Sequence, residues 1–177
     1  MARIAFLMDS EYEDSEFQGP FDALRAEGHD CRVVGLLEGT HLVGKRGESK
    51  VVVDEGVDLA DPLGFDALVI PGGNSPDRLR AQPGPAGFVR SFVIREAPIA
   101  AICHGPQLLI DAEALTGRTV TSWPSVRADL ENAGATWVDR PVVEDGNLIT
   151  SRKPDDAPAF VAAIKRRLAA AAVPPTA

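Results

Sequence analysis

The chain has little of what marks several protein classes at sight. Two cysteines, Cys31 and Cys103, in 177 residues give neither a disulfide framework nor the paired spacing of a metal site. No apolar run approaches the length of a membrane span. Met1-Ala2-Arg3 leads straight into Ile4–Met8, too short for the apolar region of a signal peptide and without a cleavage site. Lys and Arg are outnumbered by Asp and Glu, for a net charge of −8, and no basic cluster offsets this, which argues against a polyanion as partner. These absences lead to an expectation: a cytoplasmic protein, where a thiol stays reduced, with no metal, no cofactor, no nucleic acid and no membrane among its associates.

What is present is the pattern of one α/β domain. Arg3–Met8 reads as a buried strand, followed by a loop rich in acids (Asp9, Glu11, Glu13, Asp14, Glu16). Phe17, Phe21 and Leu24 then recur at helical spacing up to Glu27-Gly28. Cys31–Leu37 is a second strand, so the chain opens with a β-α-β unit and therefore a parallel sheet. Gly44–Val53 reads as a short β-rich insert with Gly47 at a hairpin turn. Phe65–Ile70 is a further buried strand, stopped by Pro71-Gly72-Gly73. Helical pieces follow over Pro76–Arg80 and Pro85–Glu96. Arg118–Ser122 and Thr136–Val138 read as strands, with a helix from Val126 to Asn132 between them. Val142–Glu144 and Asn147–Thr150 pair about an Asp145-Gly146 turn, and Ala157 to about Ala171 closes the chain as a helix. Neither a repeat nor a linker divides it. The expectation is one domain over 1–177, with a frayed tail at 172–177.

The stretch from Pro98 to Ile110 is the centre of this arrangement. Ile99–Ile102 is an uncharged apolar run suited to a strand buried on both faces. Pro106 suits the first turn of a helix through Leu108, Leu109 and Ile110. Ala101-Ile102-Cys103-His104-Gly105 has the spacing of the G-x-S-x-G nucleophile elbow, with Cys for Ser and Ala for the first Gly. At such a bend the helix's free N–H groups and dipole would favour a thiolate. The plain alternative is that Cys103 is a small core hydrophobe.

In parallel sheets ligands bind beyond the carboxyl ends of the strands. The acidic loop, Gly72-Gly73 and Cys103 all lie at such ends and should meet. A carboxyl group from the loop would then reach the sulfur. Glu13 is the first choice and Glu11 the second, against the plain reading that both are solvated. The Gly73 and His104 N–H groups would form an oxyanion hole, Gly72 letting the backbone come close; a bare tight turn is the other reading. His104 is adjacent to Cys103, and adjacent residues do not ordinarily face each other, so a Cys–His dyad needs an unusual backbone. Asp77 could supply an acid to His104, from a neighbouring subunit, or be no more than a first-turn helix charge. Trp123 packs or lines the pocket, Trp137 and Cys31 read as packing, and His29 and His41 as surface.

Ala100–Leu109 resembles the signature of the DJ-1/PfpI superfamily, in its PfpI-like peptidase and general-stress-protein branch. Further matches are Glu11–Asp14, Gly44–Gly47, Ala67–Gly73, Asn132–Asp139 and Val143–Arg152, together spanning about residues 3 to 170. The resemblance implies a flavodoxin-like three-layer α/β sandwich with a mainly parallel central sheet, a homo-oligomer (dimer or hexamer), and a reactive Cys103 beside Glu13. It also implies, in peptidase-like members, a triad completed by an acid at the position of Asp77, where that pattern has Glu. The activities it implies are peptide hydrolysis, glyoxalase-type conversion of small dicarbonyls, deglycation and stress protection. Three functions therefore stand open. The favoured one is a cofactor-independent enzyme acting on small reactive carbonyls; the others are a cysteine peptidase acting on peptide substrates, and a redox sensor working through oxidation of Cys103.

Overall fold

A computed structural model describes residues 1–171; the tail expected to fray lies outside them. In chain order the strands are β1 (Arg3–Leu7), β2 (Asp30–Gly35), β3 (His41–Val43), β4 (Lys50–Val52), β5 (Glu55–Gly56), β6 (Ala67–Ile70), β7 (Ile99–Ile102), β8 (Thr119–Val120), β9 (Thr136–Trp137), β10 (Val142–Asp145) and β11 (Leu148–Ser151). The helices are α1 (Asp14–Ala26), α2 (Ser75–Arg80), α3 (Pro83–Ile94), α4 (Gln107–Asp111), α5 (Arg127–Asn132) and α6 (Ala157–Ala171).

Seven strands form the central sheet in the order β10-β11-β7-β6-β1-β2-β5. All neighbours are parallel except β10 and β11, which turn back on each other. Leaving aside the edge strands β5 and β10, the remaining five, counted in chain order, lie as 2-1-3-4-5. That is the flavodoxin-like winding, and it places a topological switch point between β1 and β6.

The period-two alternation of the strands divides the core into two layers. Ile4, Phe6, Val69, Ala100 and Ile102 face α1 and α6, where Phe17, Leu24, Phe160 and Ile164 meet them. Ala5, Leu7, Leu68, Ile70 and Ala101 face the other way, onto Leu79, Phe88, Phe92, Leu108 and Leu130 from α2 to α5. Burial on both sides is why these strands read as unbroken apolar runs.

Several boundaries differ from those expected. The Arg118–Ser122 and Thr136–Val138 segments keep only two paired residues each and make a separate parallel ribbon, β8-β9, outside the main sheet. The helix after Cys103 does run through Leu108, Leu109 and Ile110 as expected, as the five-residue α4, with Pro106 just before it, and Glu113 at a positive φ of 56° follows its end. The hairpin of the insert is β3-β4, with Gly47 at φ 72° in its connection.

The α1 side of the core carries the acidic loop. Phe17 packs edge-on against Phe6 and Tyr12, with ring centroids 5.8 and 5.2 Å apart, and is almost fully buried. Truncating Phe17 to Ala should lower stability by about 3–5 kcal/mol, read as the urea midpoint; a loss under about 1 kcal/mol would mean that α1 is not held by this cluster.

Candidate active site

The switch point between β1 and β6 brings three loops together. The loop after β1 bonds to the double glycine after β6: Glu13 N–H donates to the Gly72 carbonyl at 3.2 Å, Asn74 N–H to the Glu11 carbonyl at 2.9 Å, and Tyr12 and Gly73 form a bridge. Gly73 has φ 76°, and a Cβ there would collide with the backbone of Glu11, Tyr12 and Glu13. Only glycine fits this junction.

Cys103 follows β7 directly. Its φ is 63°, a left-handed conformation that costs a non-glycine residue about 1–3 kcal/mol and is the mark of a nucleophile elbow. Gly105 permits the bend, since a Cβ there would lie 2.5 Å from the Ile70 carbonyl oxygen. The same strained backbone does what ordinary geometry forbids to adjacent residues: it brings His104 Nδ1 to 3.3 Å from Cys103 Sγ. The contact that the sequence argues against is therefore present.

The acid at the sulfur is neither of the two expected. It is Glu16, fully buried in the first turn of α1. Gly72 N–H donates to its Oε2 at 3.0 Å, and the carboxyl lies beside the Cys103 side chain, lining the same cleft. A Cβ on Gly72 would lie 2.5 Å from Glu16 Oε2 and 2.7 Å from Cys103 Cβ, so this glycine makes the room in which acid and thiol meet. Gly72 N–H is thereby committed to Glu16 and not free for an oxyanion. Glu13 lies further out, lining the cleft, and its Oε1 is 3.5 Å from Arg46 Nε. Glu11 is exposed. The missed signal was helical spacing: Glu16 falls on the stripe of Phe17, Pro20 and Leu24, one turn on from Glu13.

Burial lifts the Glu16 carboxyl to about 8 from an ordinary 4.5, opposed by the Gly72 N–H and the Cys103 side chain. Glu16 thus holds a proton at neutral pH. Burial, and after it the charge of an ionised Glu16, raises the Cys103 thiol, while the N–H groups of His104 and Gly73 favour its anion. The short α4 contributes little dipole. A thiolate here therefore depends on a protonated Glu16 and those two amides, rather than on a helix terminus. His104 is held below its usual range by burial and then by the charge of Lys45, so its imidazole is neutral and able to accept a proton.

The cleft over the sulfur is open, about 250 Å³, lined by Glu13, Glu16, Lys45, Gly73, Cys103, His104, Trp123 and Pro154. Trp123, partly exposed, stacks near His104 with centroids 6.4 Å apart. Ser125 Oγ lies 3.5 Å from His104 Nε2. Asp77 is exposed on α2, does not line the cleft and makes no hydrogen bond to His104 within the chain. Lys45, Ser125 and Pro154 were not singled out in the sequence because they come from segments remote from the elbow. Cys31 is buried on the α1 side, away from the cleft, and burial pushes it up to about 12. Among the described residues no group of His, Cys, Asp and Glu is placed to hold a metal ion, and no helix is long and apolar enough to cross a membrane.

Fold and site together define a class: a flavodoxin-like sandwich that presents a cysteine on a strained elbow between a histidine and a buried glutamate. The chain belongs to the DJ-1/PfpI family, whose model matches residues 2–167. It is 46% identical over 159 residues to general stress protein 18 of Bacillus subtilis, covering 89% of this chain and 92% of that one. Protein/nucleic acid deglycase 2 of Escherichia coli is also 46% identical over 159 residues, with the same coverage. The crystal structure of Drosophila melanogaster DJ-1beta superposes with a TM-score of 0.87 at 31% identity, over 95% of this chain and 90% of that one.

The Glu16 proton has a stability signature. Unfolded, the carboxyl ionises near 4.5; folded, near 8. Between these the folded chain keeps a proton that the unfolded chain has lost, so this contribution to stability falls as pH rises through that window, by a few kcal/mol at most. Urea midpoints measured across the window should decline for the native chain and flatten for Glu16→Gln. Equal slopes would place the proton elsewhere.

Proposed function

We propose that this chain is a cysteine-dependent, stress-protective enzyme that converts small reactive dicarbonyls to hydroxy acids without a cofactor. The observation that carries the reading is the cleft itself: a nucleophile at its floor with a neutral base 3.3 Å away, a protonated acid beside it, and about 250 Å³ of space above them for a small molecule. The names of two relatives, a general stress protein and a deglycase, agree with this.

The chemistry balances without oxidant or reductant. The Cys103 thiol gives its proton to His104 and the sulfur bonds to the aldehyde carbon of a 2-oxoaldehyde; the carbonyl electron pair moves to oxygen, which takes that proton from His104 and leaves the imidazole neutral again. His104 then removes the hydrogen on that carbon, giving an enediol, and returns a proton to the neighbouring carbon. The product is a thioester of a 2-hydroxy acid. Water adds to it, the carbon–sulfur bond breaks, and thiol and hydroxy acid are released. The amides of Gly73 and His104 face the oxygen that gains charge, and Glu16 steadies the sulfur each time it leaves as an anion.

The sulfur–imidazole contact favours a second reading, acyl transfer by a cysteine peptidase. That reading requires another copy of the chain to bring Asp77 to His104. Methylglyoxal turnover by the purified chain, absent in Cys103→Ala and reduced about 10²-fold in Glu16→Gln, is the expected result. Equal turnover by the native chain and Cys103→Ala removes the proposal. Hydrolysis of fluorogenic peptides that is sensitive to Asp77→Ala, with no dicarbonyl turnover, would favour the peptidase.

A further inference from the structure

The insert between β2 and β6 has no part in the chemistry above, yet it is built into the site. The Gly44–Ser49 connection of the β3-β4 hairpin is clamped onto the start of α1 by one buried carboxylate, Asp14. Arg46 N–H donates to Asp14 Oδ2 at 2.8 Å, and Ser49 N–H and Oγ–H both donate to Oδ1 at 2.8 Å. Tyr12, fully buried, sets its hydroxyl 2.9 Å from Ser49 Oγ. Main-chain bonds secure the same loop: Lys45 N–H donates to the Tyr12 carbonyl at 2.8 Å, Glu11 N–H to the Val43 carbonyl at 2.8 Å, and Gly44 N–H to the Ser49 carbonyl at 3.0 Å. Gly44 lies against Asp14 with no space for a Cβ.

What the clamp holds in place is a pair of cations. Arg46 faces Glu13 at 3.5 Å and offsets its charge. Lys45 lines the cleft over Cys103 and forms no ion pair among the described residues. Of the other titratable groups in the cleft, Glu16 keeps its proton and His104 is neutral. With Arg46 counted at its rim, the cleft sets two cations against the one carboxylate of Glu13, a surplus of one positive charge in a chain whose net charge is −8. An ammonium group left unpaired beside a nucleophile attracts an anion to it.

We infer that Lys45 is an anion-recognition residue of this cleft, that Asp14 is its positioning residue, and that the preferred ligands are small carbonyl compounds bearing a carboxylate. The substrate class rests on the proposed enzymatic reading; the anion preference of the cysteine does not.

Alkylation of Cys103 in the full-length chain tests it, using iodoacetate and iodoacetamide, reagents of like size that differ by one negative charge. The ratio of their rates cancels any change in the protonation of the thiol itself. Lys45→Gln should lower the iodoacetate-to-iodoacetamide ratio about fourfold, the effect of one unit charge across a few ångströms of water. Lys45→Arg should preserve the ratio, and rising salt should erode it in the native chain. Asp14→Asn should lower it as Lys45→Gln does, with Lys45 still present. An unchanged ratio in Lys45→Gln overturns the inference even if Asp14→Asn fails to fold. A Lys45-dependent ratio in a chain that does not turn over methylglyoxal keeps the anion site and removes the enzyme.

Discussion

The proton that burial keeps on Glu16, beside Cys103, is the constraint on which the site depends. Two acidic groups have been brought together out of water, and both cannot ionise at once without severe cost. The carboxyl keeps its proton to about pH 8, so it stands as a donor beside the sulfur instead of a second negative charge. Its other oxygen is already tied to the Gly72 N–H. An ionised glutamate in the same place would suppress the thiolate; a protonated one supports it. In the proposed reaction the same side chain would inhibit or enable the sulfur according to a single proton.

Everything near that proton is arranged by contacts of main chain rather than by long side chains. Adjacent parallel strands β1, β6 and β7 end at one level, so the loops that leave them must cross one another. Gly72, Gly73 and Gly105 let them cross at distances that a Cβ would forbid. The elbow at Cys103 stores strain, and the layers of Phe6, Phe17 and Ile102 on one face and Leu108 and Leu109 on the other hold it in place. Such strain persists only where the surrounding structure over-determines it. The turn also swings the His104 ring back to the sulfur, so that one backbone distortion both presents the cysteine to the cleft and sets an imidazole against it. The Asp14 clamp extends the same logic outward and fixes the charged rim of the cleft to the helix that carries Glu16.

Much of this was legible in the residues. The apolar runs of β1, β6 and β7, the β-α-β opening and the Cys-His-Gly-Pro bend gave the sandwich, its parallel sheet and the place of the cysteine, because burial on both faces and a strand-to-helix turn each demand a particular composition. Convergence of the acidic loop, the double glycine and the elbow followed from the rule that strand ends of one sense share an edge. The identity of the acid did not follow. Glu11, Glu13 and Glu16 are the same residue type within six positions, and which one points inward depends on where α1 begins and how it rolls against Phe6 and Phe17. The His104 contact was likewise hidden, since it rests on a φ angle that composition does not encode.

By itself, then, the sequence determined the layers, the parallel core of the sheet and the place of the elbow cysteine, since those depend on hydrophobic periodicity and on local turn chemistry that each segment carries alone. Only the tertiary structure decided which carboxyl holds the proton, that the neighbouring imidazole faces the thiol, and that Lys45 stands over both. The first and last of these are relations between segments 58 to 87 residues apart in the chain, Lys45–Cys103 and Glu16–Cys103, and arise only when the packing of one segment fixes the orientation of another; the second rests on the backbone angle at Cys103.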